Sequence, residues 1–176
     1  MTAWAALLRA INVGGTGALP MAELKAIGAA CGFTAVRTYI ASGNLLFESP
    51  LDEAAVKVLL GARLAVRAGR PVEVFVRTAA QLAAIVAANP FPDAHSSRHM
   101  VFFYDRSPAD DLIGQCRDRA GERLALGPRE LHVDYGDGIR STKLKIPDKL
   151  ERTGRNMNTV RKLADLLKHW PNTAAV

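Results

Sequence analysis

Arg155, Asn156 and Asn158 sit together in the segment Thr153-Gly154-Arg155-Asn156-Met157-Asn158-Thr159. An arginine presents a planar fork of donors and amides add more, a set suited to an oxyanion, carboxylate or phosphate. The segment falls at an expected helix start, where Asn158 or Thr159 serves as cap. A second signature is Ile11-Asn12-Val13-Gly14-Gly15-Thr16-Gly17, just after Arg9. Glycines between a strand and a helix let backbone N–H groups converge on an anion near the helix N-terminus. The loop has no Gly-Lys-Ser/Thr and no GxGxxG, which excludes a P-loop and the dinucleotide fingerprint. A third signature, Tyr39-Ile40-Ala41-Ser42-Gly43-Asn44, is a hairpin turn whose Ser42 and Asn44 are expected to point towards the first loop. The candidate ligand-binding residues are therefore Arg9, Asn12, Gly14, Gly15, Ser42, Asn44, Arg155, Asn156 and Asn158. Turn formation, helix capping and solvation are the plain structural alternatives for each.

Catalytic patterns are sparse. His95, His99, His132 and His169 share no metal-ligand spacing, and neither HExxH nor GxSxG occurs. His95 beside Asp93, in a proline-bounded loop, is the one candidate acid/base pair. Asp110-Asp111 and Asp134/Asp137 are expected at a helix start and a turn. Cys31 and Cys116 have no zinc-type spacing. No metal, cofactor or catalytic residue is assigned.

The charge is concentrated. Residues 140–162 hold eight bases (Arg140, Lys143, Lys145, Lys149, Arg152, Arg155, Arg161, Lys162) against Asp148 and Glu151, and 8 − 2 equals the +6 of the whole chain. Such a stretch is either a surface for an anionic partner or a solvated face, with Arg152–Asp148 and Arg161–Asp165 as possible local pairs. Aromatic residues make up 6% of the chain, and residues 44–48 lack the interleaved aromatics of RNA-recognition strands. Hydrophobic residues at 49% and charged residues at 23% describe an ordinary globular protein. No secretion signal and no membrane span are expected, and two isolated cysteines suit a reducing cytoplasm.

These signatures need elements to hold them. Residues 4–11, 36–41, 45–48 and 72–76 have strand character, with helices from Pro20 to Gly32 and from an Asp52 cap to about 67. The order is βαββαβ, the split βαβ unit of ferredoxin-like folds. A helix over 78–88 follows, ending at Asn89-Pro90-Phe91-Pro92, a boundary signal. Beyond it come a strand (99–104), a helix (110–120), a hairpin (123–126 with 130–135) and two basic helices (143–150 and 158–169, the latter halted by Pro171). The predicted fold class is α+β, an α/β sandwich of two ferredoxin-like lobes packed together with a C-terminal basic helical segment. The first lobe with its linker helix covers 1–88, and the second lobe with the C-terminal helices covers 89–176.

Leu7-Leu8-Arg9-Ala10-Ile11-Asn12-Val13-Gly14-Gly15 resembles the opening signature of a widespread bacterial family, domain of unknown function 1697. Tyr39-Ile40-Ala41-Ser42-Gly43-Asn44, Asn89-Pro90-Phe91 and Ser141 with Lys143-Leu144 are similar to its following motifs. Arg155-Asn156-Met157-Asn158-Thr159-Val160 resembles its C-terminal Arg-Asn-Trp-Asn-Thr-Val, with methionine where the family has tryptophan. If that ring stacks on a ligand, methionine keeps apolar contact and loses the π-face. The resemblance implies two ferredoxin-like lobes and assigns no activity.

The expected function is a cytoplasmic protein that binds a phosphorylated or carboxylated small ligand at a polar site between the lobes, with the basic stretch as one wall. Two alternatives are a nucleic-acid-binding module built on residues 140–162 and an enzyme acting on a phosphorylated metabolite.

Overall fold

Strand β1 (Thr2–Leu8) opens a computed structural model that describes residues 1–11, 18–147 and 149–170. Then come α1 (Met21–Ala30), β2 (Thr34–Tyr39), β3 (Asn44–Ser49), α2 (Glu53–Ala68) and β4 (Val74–Thr78). The sheet order is β2-β3-β1-β4, every pair antiparallel, which is the ferredoxin-like arrangement expected from the βαββαβ order. The connections force it. β1 and β2 are separated by a helix and leave a slot that β3 fills by hairpin return.

Period-2 patterning assigns the strand faces. Trp4, Ala6 and Leu8 of β1, Leu45 and Phe47 of β3, and Val74 and Val76 of β4 form one core with Leu24 of α1 and Val56, Leu60 and Leu64 of α2. The i, i+4, i+8 spacing of those three α2 residues puts them on one stripe. Phe33 stacks on Phe47 at 4.1 Å between ring centroids. The opposite face (Ala5, Leu7, Leu46, Phe75, Arg77) is also buried. Asp52 caps α2 by accepting from the Ala55 N–H at 2.8 Å, and Gly69 closes it in the left-handed conformation.

Helix α3 (Ala79–Ala87) starts with a reciprocal capping box. The Thr78 N–H donates to Gln81 Oε1 at 2.8 Å, and the Gln81 N–H donates to Thr78 Oγ1 at 3.2 Å.

The second sheet repeats the plan. Its elements are β5 (His99–Tyr104), α4 (Leu112–Gln115), β6 (Arg123–Leu126), β7 (Glu130–Asp134), β8 (Arg152–Asn156) and α5 (Met157–Lys168), with strand order β6-β7-β5-β8. Three expectations for this half are corrected. The helix over 110–120 shrinks to the single turn of α4, because Cys116 turns extended and Arg117 pairs with Lys145 in an antiparallel bridge. That same bridge keeps the chain around Lys145 extended, where a helix over 143–150 was expected: Arg117 N–H donates to Lys145 O at 3.0 Å, and Lys145 N–H to Arg117 O at 2.9 Å. The third correction is β8 itself, a strand where a loop at the helix start was expected. Among the described residues a 3-10 turn, Gly136–Arg140, is the only helical element between β7 and β8.

The chain divides into two compact units, Met1–Ala83 with the chain from Leu163 onward, and Ala84–Lys162. The expected break at 88/89 lies close to the first division, and the end of α5 groups with the first unit. Pro171 lies outside the described residues.

β8 depends on its glycine. Gly154 pairs with Phe102 across the strands, and a Cβ there would meet the Phe102 ring at 2.9 Å and Met100 Cε at 3.2 Å. Gly154→Val is expected to lower the stability of the fold by about 1–3 kcal/mol, the usual cost of overpacking, measured by urea denaturation.

Candidate functional site

In the first unit, the hairpin tip and the start of the first loop are neighbours. The Leu8 N–H donates to Gly43 O at 2.9 Å, and Leu7 pairs with Asn44. Gly43 has φ +80°, and its absent Cβ would lie 3.1 Å from Leu8 Cβ, so both conformation and space require glycine. Asn44 is fully buried and donates to Tyr39 O at 3.0 Å and to Ser42 Oγ at 2.9 Å. Those bonds brace the turn, and Ser42 itself is exposed. Arg9 is half-buried, its N–H donating to Glu73 O at 3.0 Å. Ala10 then takes a left-handed φ of 52°, and its carbonyl accepts from Arg70 Nη2 at 3.1 Å. Asn12, Gly14 and Gly15 lie outside the described residues.

In the second unit, β8 sends its polar residues in different directions. Arg155 is buried, with Nη1 donating to Thr153 Oγ1 and to Gly154 O, each at 2.9 Å. Burial lowers its guanidinium to about 10, and it remains cationic at neutral pH. Asn156, on the alternate face, accepts from the Thr159 N–H at 3.0 Å and caps α5, the role expected of Asn158 or Thr159. Asn158 is exposed and Met157 is fully buried. A residue placed as Met157 is buries its side chain and offers no face to a ligand.

The face of this sheet that carries Arg155 has a polar cluster that was not legible in the sequence. His99 Nε2 and His132 Nδ1 share a hydrogen bond of 3.0 Å, and both rings are buried. Asp134, register partner of both His99 and Arg123, accepts from Arg123 Nε at 2.9 Å and Nη2 at 2.6 Å. Arg123 also reaches Asp93 at 3.1 and 3.2 Å and lies 4.8 Å over the Phe91 ring, whose edge meets His99. Asp93 thus serves Arg123, which holds its carboxyl below the usual range. The expected His95–Asp93 pair does not form: His95 Nδ1 instead lies 2.7 Å from Ser97 Oγ. The Asn89-Pro90-Phe91 motif is structural, with Asn89 Oδ1 accepting from the Phe91 N–H at 2.9 Å to turn the chain under the ring. Only the strand register brings the two histidines together, since one sits opposite Asp134 and the other opposite Val101.

The bases of 140–162 are not one patch. Arg155 is buried, Arg152 lies 5.6 Å over Phe102, and Arg161 donates to Ser96 Oγ at 2.6 Å. Asp165 is 3.9 Å from His169, in place of the expected Arg161 pair, and the expected Arg152 partner Asp148 lies outside the described residues. Lys145 and Lys149 meet Arg117 around a cleft of about 530 Å³, completed by Gly114, Gln115 and Pro147. Lys145 pairs with Asp118 at 2.7 Å. Among the described residues, Arg117 and Lys149 have no carboxylate in hydrogen-bonding contact. No group of three potential metal ligands occurs among the described residues, and no helix there is long and apolar enough to cross a membrane.

Two four-stranded antiparallel sheets of identical strand order, each with helices, define a two-lobed α+β protein. The chain belongs to the DUF1697 family: a family model described as a protein of unknown function matches residues 1–132. It is similar in structure to the conserved bacterial protein SP0830 from Streptococcus pneumoniae. That likeness has a TM-score of 0.80 and 26% identity, over 96% of this chain and 99% of that one. Comparison with curated proteins finds no match.

Burial lowers both His99 and His132 to about 4, and the His132 ring adds to the cost of charging His99. The unfolded state, titrating near 6.5, binds protons that the fold refuses, so stability rises with pH between these values. Urea midpoints are expected to be level above pH 7 and to fall from pH 6.5 towards 4. His99→Gln, which keeps a hydrogen-bonding partner for His132 without titrating, is expected to flatten that slope.

Proposed function

We propose that this protein binds a small anionic ligand, phosphorylated or carboxylated, in the cleft formed by α4 and the extended chain around Lys145. The observation that carries the reading is the convergence of Arg117, Lys145 and Lys149 on one cavity, where among the described residues Lys145 alone engages a carboxylate. Like charges gathered at one concave site repel one another unless a counter-anion joins them. The Arg117↔Lys145 bridge fixes two of the three by backbone hydrogen bonds, so part of the ordering cost is met before any ligand arrives. The reading draws only on the second unit. It uses one part of the basic stretch and needs neither Arg9, Ser42 and Asn44 nor Arg155, Asn156 and Asn158. A binding role, rather than a catalytic one, is favoured because the described residues of the cleft lining include no histidine, cysteine or carboxylate.

Calorimetry with pyrophosphate and with citrate at low ionic strength tests it. Binding of at least one is expected, with the combined Arg117→Ser and Lys149→Ser changes weakening it by about tenfold or more, the value of one charge-assisted contact. No binding of either anion would sink the proposal. Tight association with mixed RNA and a steep salt dependence, in the absence of small-anion binding, would move the surface to nucleic acid.

A further inference from the structure

Of the three bases that line the cationic cleft, Lys145 already has a counter-charge. Its Nζ lies 2.7 Å from Asp118 Oδ2, and that carboxylate belongs to a different lining. Asp118 borders a second cleft of about 480 Å³, together with Arg119, Glu122, Tyr135 and Lys143. The ion pair therefore ties a base of the anion cleft to its neighbour.

The local backbone produces this contact. Arg117 and Lys145 exchange both N–H···O bonds, so they stand directly opposite and their side chains leave on one side. In a continuing strand, residue 118 would point the other way. Asp118 instead takes a left-handed φ of 54°, which ends the extended run and brings its carboxylate round to Lys145. Such backbone is uncommon outside glycine, aspartate adopts it more readily than most, and surrounding contacts have to hold it.

The contact is also easily exchanged. The side chains are 72% exposed for Lys145 and 49% for Asp118, and an exposed ion pair contributes little to stability. Asp118 would not be stranded on release, because Arg119 and Lys143 line the same cleft as it does. Lys145 keeps its place through its backbone bonds to Arg117, whichever anion its ammonium meets. We infer that Asp118 is a built-in counter-anion: it competes with the ligand of the cleft for Lys145, and a bound anion takes that base over together with Arg117 and Lys149. This inference rests on the anion-binding reading above and adds the residue that sets the affinity of that site.

Pyrophosphate titrations by calorimetry at low ionic strength test it on four proteins: the full wild-type chain, Asp118→Asn, Lys145→Gln and the double variant. Asparagine adopts the left-handed conformation as aspartate does, so Asp118→Asn removes the charge and keeps the turn, with circular dichroism confirming the fold. Asp118→Asn is expected to tighten binding about two- to fivefold, the range of one exposed ion pair removed from competition. In the Lys145→Gln background the same change should bring no gain. Unchanged or weaker binding by Asp118→Asn would overturn the inference and spare the anion reading. A gain that persists without Lys145 would mark a general field effect and overturn it equally. If the wild-type chain binds neither pyrophosphate nor citrate, both readings fall together.

Discussion

Charge buried on a sheet face must be neutralised within that face, and the second unit is organised around this requirement. Arg123 stands between Asp134 and Asp93, and its planar fork satisfies both carboxylates. The neighbouring His99–His132 pair avoids the problem by staying uncharged, one ring donating to the other. Phe91 fills the space between guanidinium and imidazole. Removing Arg123 would leave the buried Asp134 carboxylate without its counter-charge, which costs more than the pair contributes. The register of β5, β6 and β7 is tied to this cluster. A slip by one residue would turn His99, His132 and Asp134 to the face occupied by Leu131 and Val133.

The passage from β8 into α5 shows how a family motif can be structural at several points at once. Gly154 makes room for Phe102, Arg155 turns inward, Asn156 caps the helix and Met157 is fully buried. Each has a physical role in the fold before any ligand is considered. The same holds for Ser42-Gly43-Asn44, where Asn44 braces the turn that Gly43 alone can adopt. The proposed anion cleft accordingly relies on other residues, those of α4 together with Arg117, Lys145, Pro147 and Lys149.

Segment 140–162 demonstrates why charge density along a chain differs from charge density in space. Its bases are distributed by the strand alternation of β8, by the Arg117↔Lys145 bridge and by the start of α5. Part of the positive charge is internal, part is bonded to neighbours such as Ser96 and Asp118, and only a few groups face a common cavity. Arg117, which completes that cavity, lies outside the basic stretch altogether.

The first unit was legible in the sequence almost element by element. Its strands alternate, its helices have a cap at Asp52 and a breaker at Gly32, and its hairpin carries Ser-Gly-Asn, all local signals. Local signals also announced β5, β6 and β7. They failed over 110–120 and in the stretch from Lys143 to Asn156, where polar, basic residues allow either helix or extended chain and distant pairing decides. The bridge from Arg117 to Lys145 and the ladder from β8 to β5 join residues far apart in sequence, so only the folded chain could settle them. The sequence by itself therefore determined the α+β class, the βαββ order of both lobes and the excess of positive charge. The tertiary structure decided which charges are buried, which histidines touch and which bases share a cleft, because each depends on register between strands rather than on the order of residues along one.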